Sequence, residues 1–123
     1  MSRILLVDDH KSVRTAIRCC LEAKNHQCLE AADGMEALAY FDQQQHIDLV
    51  ITDNQMPIMT GLELLKKLQQ RFGSTAIPII FHTGNMTAEA KEEALQSGAY
   101  AVLGKPFEFR DLVILVEQAL DRG

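Results

Sequence analysis

Apolar residues fall along this chain in short continuous runs, separated by longer stretches where they recur every three or four positions. The runs are Arg3-Ile4-Leu5-Leu6-Val7, Leu49-Val50-Ile51, Ile77-Pro78-Ile79-Ile80-Phe81-His82 and Ala99-Tyr100-Ala101-Val102-Leu103-Gly104. Runs of this length between turn signals read as strands buried on both faces. A further strand, Gln27-Cys28-Leu29-Glu30-Ala31, is less apolar and suits a sheet edge. Val13, Ala16, Ile17, Cys20 and Leu21 form one stripe of an amphipathic helix after the first strand. Asp33 followed by Glu36 has a capping-box pattern and opens a second helix carrying Leu38 and Phe41. Leu64, Leu65, Leu68 and Phe72 stripe a third helix that begins near Gly61. A fourth runs from a Thr87 cap towards Gln96 and stops at Gly98, and the last covers Phe107 to Leu120. Strands alternating with helices predict an α/β fold, a doubly wound parallel sheet covered on both faces.

Length and composition narrow the reading. At 123 residues the chain allows a single domain over 1–123 with one ordinary core. Hydrophobic residues at 47% and charged residues at 24% are average for a soluble globular protein. The net charge of −5 argues against direct nucleic-acid binding, which usually needs a basic patch. No apolar stretch is long enough to span a bilayer, and Met1-Ser2-Arg3 leads straight into a strand without a signal-peptide pattern. A cytoplasmic location is expected. Cys19, Cys20 and Cys28 form no C-x-x-C pair, so free thiols packed on their elements are expected rather than disulfides.

The candidate chemistry lies where the strands end. The first run leads into Asp8-Asp9, the third strand into Asp53, the fourth into Thr83 and the fifth into Lys105. In an open parallel sheet the ligand site lies beyond the carboxyl ends of the strands, at the switch point of strand order. One such residue alone would be an ordinary solvated loop residue; five complementary groups on four strands are another matter. Three carboxylates close together repel, by ~4 kcal/mol for a pair ~4 Å apart at an effective dielectric near 20. Such a pocket needs a cation. Lys105 can supply one charge, and Mg²⁺, commonly held by one or two carboxylates plus phosphate oxygens, suits the rest. Asp53, at the end of what should be a central strand, is the candidate nucleophile for taking up a phosphoryl group. Asp8 and Asp9 would hold the metal, Lys105 would meet a phosphoryl oxygen, and Thr83 would donate to another, with Gly84 leaving room for entry. No G-x-G-x-x-G or G-x-x-x-x-G-K-[ST] supports a nucleotide site. His10, His26, His46 and His82 show no metal-ligand spacing, and His82 reads as a packed or partly exposed histidine near the pocket.

From about Arg3 to Leu120 the chain resembles the receiver domain of response regulators in bacterial two-component signalling. The matching stretches are Ile4-Leu5-Leu6-Val7-Asp8-Asp9, Ala32-Asp33-Gly34-Met35-Glu36-Ala37-Leu38, Asp53 to Gly61 with its Met56-Pro57-Ile58-Met59-Thr60-Gly61 core, Thr83-Gly84, and Lys105-Pro106-Phe107. The resemblance implies a flavodoxin-like (βα)5 fold with strand order 2-1-3-4-5. It implies phosphorelay signalling, in which Asp53 accepts phosphate from a histidine kinase or histidine phosphotransfer protein. It also implies that Asp8, Asp9, Asp53 and the backbone carbonyl of Gln55 bind Mg²⁺, that Thr83 is the switch hydroxyl and that Lys105 is the phosphoryl ion pair. Such a domain catalyses only its own phosphorylation and dephosphorylation, with Gln55 and Asn85 flanking the pocket to tune phosphate lifetime.

Two departures from the family pattern stand out. Val102 occupies the position, three before the lysine, where receivers usually carry an aromatic residue, and Tyr100 is expected to point the same way by strand alternation. Thr60 stands where an acid is frequent. The alternatives are a pseudo-receiver acting only as an interaction module and a haloacid dehalogenase-type phosphohydrolase; the latter needs an acid where this chain has Gln55. The Lys105–Pro106 bond is expected to be cis, which costs ~0.5–1 kcal/mol over trans at proline. In the last helix Phe109, Leu112, Val113, Val116 and Leu120 make an inward stripe that leaves Ile114 and Leu115 at its margin or outside it. That surplus marks a face for self-association or for an output domain, on the surface of fourth helix, fifth strand and fifth helix that receivers commonly use.

Overall fold

Near-continuous apolar strands need cover on both faces, and the chain provides it with five helices in strict alternation. The computed structural model describes residues 2–73, 77–84, 87–104 and 106–121. In chain order the elements are β1 (Arg3–Val7), α1 (Lys11–Glu22), β2 (Gln27–Ala31), α2 (Gly34–Asp42), β3 (Leu49–Asp53), α3 (Gly61–Phe72), β4 (Ile79–Thr83), α4 (Ala88–Gln96), β5 (Ala101–Gly104) and α5 (Phe109–Asp121). All strand pairings are parallel, in the order β2-β1-β3-β4-β5, so β3 is central and the less apolar β2 is an edge. The flavodoxin-like order expected for the chain is the order found.

Side chains alternate across each strand and thereby divide the core in two. Leu5, Val7, Val50, Ile79 and Phe81 pack with Phe41, Leu64, Leu65, Leu68 and Ala94, under α2, α3 and α4. Ile4, Leu6, Leu49, Ile51 and Ile80 pack with Ile17, Leu21, Leu112, Val116 and Ala119, under α1 and α5. The starts of α2, α3 and α4 follow capping signals. The Asp33 side chain accepts from the Glu36 amide and Thr87 accepts from the Ala90 amide. Thr60, which departs from the family's usual acid, builds a full capping box with Glu63 at the start of α3. Those hydrogen bonds to Thr60 hold the Glu63 carboxyl below its ordinary range.

Three expectations need correction. Tyr100 and Val102 do not share a face: Val102 packs under the α2–α3–α4 layer and Tyr100 under the α1–α5 layer. Tyr100 precedes β5, which begins only at Ala101, so strand alternation does not govern it. In α5 the helix starts at Phe109, not near Phe107, and Phe109 itself is exposed. Ala119 is buried in its place, and Leu115 packs against the core. Ile114 alone of the surplus pair projects outward, at 49% exposure. Cys19, Cys20 and Cys28 are free thiols, and burial pushes Cys28 up to about 12, which leaves it a neutral, poorly reactive group.

The loop after β3 carries local strain. The Met59 amide donates to the Pro57 carbonyl at 2.7 Å across Ile58, whose φ is +73°. This is a γ-turn of the rare positive-φ kind, centred on a β-branched residue that is 75% exposed. Replacing Ile58 with Asn, which lacks the β-branch and is commoner at positive φ, should therefore stabilise the fold by ~1 kcal/mol. A lower urea midpoint for Ile58→Asn would contradict this.

Candidate functional site

The sheet brings its acids together through strand register. Ile4, Leu6 and then Asp8 share one face of the first strand's line, as do Leu49, Ile51 and Asp53 on β3 and Ile80 and His82 on β4. Leu6 pairs with Ile51, and Asp53 pairs with His82, so the three polar residues meet at the carboxyl edge above the α1–α5 layer. Asp8 is 1% exposed and Asp53 is 5% exposed. Each of Asp8, Asp9, His10 and Asp53 offers one donor atom, and these atoms all lie within 4.8 Å of one another. Two nearly buried carboxylates beside a third, more exposed one repel strongly unless a cation lies between them. The oxygen-rich donor set fits a hard divalent ion such as Mg²⁺.

Surrounding hydrogen bonds fix these carboxylates. The His10 amide donates to Asp8 Oδ1 at 2.8 Å, and the Gln55 amide donates to Asp53 Oδ1 at 3.2 Å. Arg14 donates from Nη1 to the Asp8 carbonyl and from Nε to Glu30 at 2.9 Å, which ties the start of α1 to β2. Asp53 is further held from behind. The Gly61 amide donates to the Asn54 carbonyl at 3.0 Å, and the Leu62 amide donates to the Asn54 side chain at 3.1 Å. These contacts seat the first turn of α3 directly on the end of β3.

Thr83 ends β4 on the opposite alternation from His82 and pairs with Gly104 of β5. Its hydroxyl is buried and has no hydrogen-bond partner among the described residues. A buried orphan hydroxyl is unusual. Lys105, with the expected cis bond to Pro106, and Asn85 lie outside the described residues.

Two histidines join the acids. His82 is buried, its Nε2 lies 3.5 Å from Asp8 Oδ2, and Phe107 meets its ring edge-on at 6.1 Å between centroids. It is the packed histidine expected, and it touches the pocket. His10 corrects the sequence reading, which found no metal-ligand spacing around it: its Nδ1 lies 3.1 Å from Asp8 Oδ1 and 3.1 Å from Asp9 Oδ1. The signal was its adjacency to the Asp8-Asp9 pair, a spacing outside the usual helical or C-x-x-C ligand patterns.

Known proteins share this fold and part of this sequence. The family model described as the response regulator receiver domain matches residues 4–117. The sensor histidine kinase RcsC of Escherichia coli K12 is 40% identical over 84% of this chain and 10% of its own length. The DNA-binding transcriptional regulator NtrC of Salmonella typhimurium is 34% identical over 95% of the chain and 24% of its own length. The phosphate regulon regulatory protein PhoB of Pseudomonas aeruginosa is 34% identical over 97% of the chain and 52% of its own length. The chain thus spans from about a tenth to about half the length of these curated relatives. Among solved structures, the receiver domain of the Francisella response regulator 1452 superposes with a TM-score of 0.90 at 31% identity, covering 99% of this chain and 98% of that one. The Vibrio cholerae chemotaxis protein CheY4 superposes with a TM-score of 0.88 at 34% identity, covering 98% and 99%. With the sheet order, the gathered strand-end acids and the match over residues 4–117, this chain belongs to the response regulator receiver domain family, the signalling module of two-component systems.

Proposed function

We propose that residues 1–123 act as one phosphoacceptor domain in which Asp53 receives a phosphoryl group from a phosphohistidine on a histidine kinase or phosphotransfer protein. The observation that carries this reading is the placement of Asp53, 5% exposed at the end of the central strand, within 4.8 Å of the Asp8 and Asp9 donor atoms. An Asp53 carboxylate oxygen attacks phosphorus; the P–O bond forms as the P–N bond breaks, and its electron pair returns to the donor imidazole. The Gln55 amide holds the carboxylate's orientation through the 3.2 Å bond to Oδ1. Asp8, Asp9, Asp53 and the Gln55 backbone carbonyl would hold Mg²⁺, which would supply positive charge against the carboxylates and the phosphoryl oxygens. The Thr83 hydroxyl donates to one phosphoryl oxygen and Lys105 pairs with another. Gln55 leaves no acid two residues beyond Asp53, so turnover of external substrates in the dehalogenase manner is disfavoured. Incubation with acetyl phosphate and Mg²⁺ should add one phosphoryl group to the intact mass, and chelation of the metal should abolish the gain. Undiminished labelling with the metal chelated would refute the mechanism.

Thr83 also links the site to the output face. It pairs with Gly104, and the α4 residue Ala94 packs in the same core layer as the β4 residue Phe81. Movement of Thr83 towards a phosphoryl group would thus be felt by α4 and β5. Ile114, exposed on α5, marks that face as the surface for a second copy or for an output domain. Beryllofluoride, an acyl-phosphate mimic, should raise the sedimentation coefficient, and Ile114→Glu should suppress the increase. A wild type that stays monomeric in both states would remove the self-association half. Among the described residues no helix is long and apolar enough to cross a membrane, and the proposed setting is the cytoplasm.

A further inference from the structure

The imidazole beside the acids has work that the phosphoryl reading does not use. His10 is the N-cap residue of α1, yet its side chain makes no capping hydrogen bond there. N-cap positions usually carry Ser, Thr, Asp or Asn for that purpose. The ring turns instead to the carboxylates, with Nδ1 3.1 Å from one oxygen of Asp8 and 3.1 Å from one oxygen of Asp9. Neighbouring ligands of an octahedral ion with ~2.1 Å bonds stand ~3.0 Å apart. Nδ1 therefore stands at ligand-to-ligand spacing from both carboxylate oxygens, and His10, Asp8, Asp9 and Asp53 each offer a donor atom within 4.8 Å of the others. The His10 amide, bonded to Asp8 Oδ1 at 2.8 Å, holds the ring over the cluster.

Resting on the reading above, we propose that His10 Nδ1 is a metal ligand and makes this a mixed nitrogen–oxygen site that prefers a first-row transition-metal dication over Mg²⁺. The chemistry follows from ligand softness. Mg²⁺ takes oxygen donors and keeps its waters, whereas imidazole suits later first-row dications such as Co²⁺, Ni²⁺ and Zn²⁺ better. Three carboxylate donors alone would leave this choice to geometry. One imidazole tilts it.

Two measurements on the whole chain test the assignment. Pulsed EPR of the Mn²⁺-loaded protein should show modulation from a directly bound ¹⁴N, and His10→Gln should lose it. Calorimetric titration with Co²⁺ and with Mg²⁺ should show that His10→Gln lowers the preference for Co²⁺ at least tenfold, since even outer-shell partners of a metal are worth ~10–100-fold. His10 is 65% exposed in its side chain, so the substitution leaves the core intact, and a matching thermal midpoint checks this. Absence of ¹⁴N modulation in the wild type, or an unchanged Co²⁺ to Mg²⁺ ratio in the variant, overturns the role of His10. If the wild type takes up phosphate with Mg²⁺ while either of those results is obtained, only this inference falls. If no divalent ion binds at all, the phosphoacceptor reading falls with it.

Discussion

Asp53→Asn should abolish labelling by acetyl phosphate and, in metal-free buffer, make the protein more stable. The first half follows from chemistry: an amide is a poor nucleophile, and Asp8 and Asp9 are expected to be occupied in holding the cation. The second half follows from electrostatics. Asp8 and Asp53 are almost fully buried, and their donor atoms lie within 4.8 Å of each other and of Asp9. Like charges at such distances repel by a few kcal/mol at an effective dielectric near 20, and side-chain relaxation and solvent leave on the order of 1 kcal/mol of that. Removing one charge relieves it, while the isosteric amide keeps the Gln55 contact at Oδ1. Saturating Mg²⁺ should stabilise the wild type and close the gap, because binding to the native state adds stability by mass action. The test is a pair of urea titrations, with and without Mg²⁺. A variant less stable than wild type under both conditions would show that Asp53 is a structural carboxylate.

The second large effect is expected at Gly61. A methyl group there would lie 2.5 Å from the Asp53 carbonyl oxygen, 3.0 Å from Asn54 Cα and 3.2 Å from the Asp53 carbonyl carbon. All three are backbone atoms and cannot rotate away. Gly→Ala in an open helix position gains up to ~1 kcal/mol, but here overpacking should cost ~1–3 kcal/mol and reverse the sign. The strain falls on the residue proposed as phosphoacceptor, so labelling should slow as well, by roughly ten- to a hundredfold if Asp53 shifts by ~1 Å. Gly104→Ala, where an added methyl meets nothing within 4 Å, is the stability control. If Gly61→Ala melts with wild type and labels at the wild-type rate, α3 does not position Asp53.

How much of this was legible beforehand depended on whether local periodicity governs the residue concerned. Asp8, Asp53 and Thr83 sit at the ends of strands whose alternation and parallel pairing are set by continuous apolar runs, so their meeting at one edge followed from pattern alone. The caps at Asp33 and Thr87 are likewise local, requiring only a hydroxyl or carboxylate three residues before an amide. His10 escaped because it lies in the turn between β1 and α1, where ring direction is decided by the hydrogen bond to Asp8 and not by a period. Tyr100 was misplaced for a related reason: it lies one residue before β5, and two residues of separation carry no face information outside a strand. Phe109 opens α5, and the fully buried residues farther along are Leu112, Val116 and Ala119. Gly61 read as a helix start, and its contact with the Asp53 backbone is a tertiary fact that no spacing encodes.

The central claim is that Asp53, and no other acid of the cluster, carries the phosphoryl group. Borohydride reduces an acyl phosphate to the corresponding alcohol, which turns a phosphorylated aspartate into homoserine. The wild-type protein should be phosphorylated with acetyl phosphate and Mg²⁺, reduced, digested and sequenced by tandem mass spectrometry. Homoserine at position 53 alone is the predicted result; homoserine at position 8 or 9, or none anywhere, would contradict it.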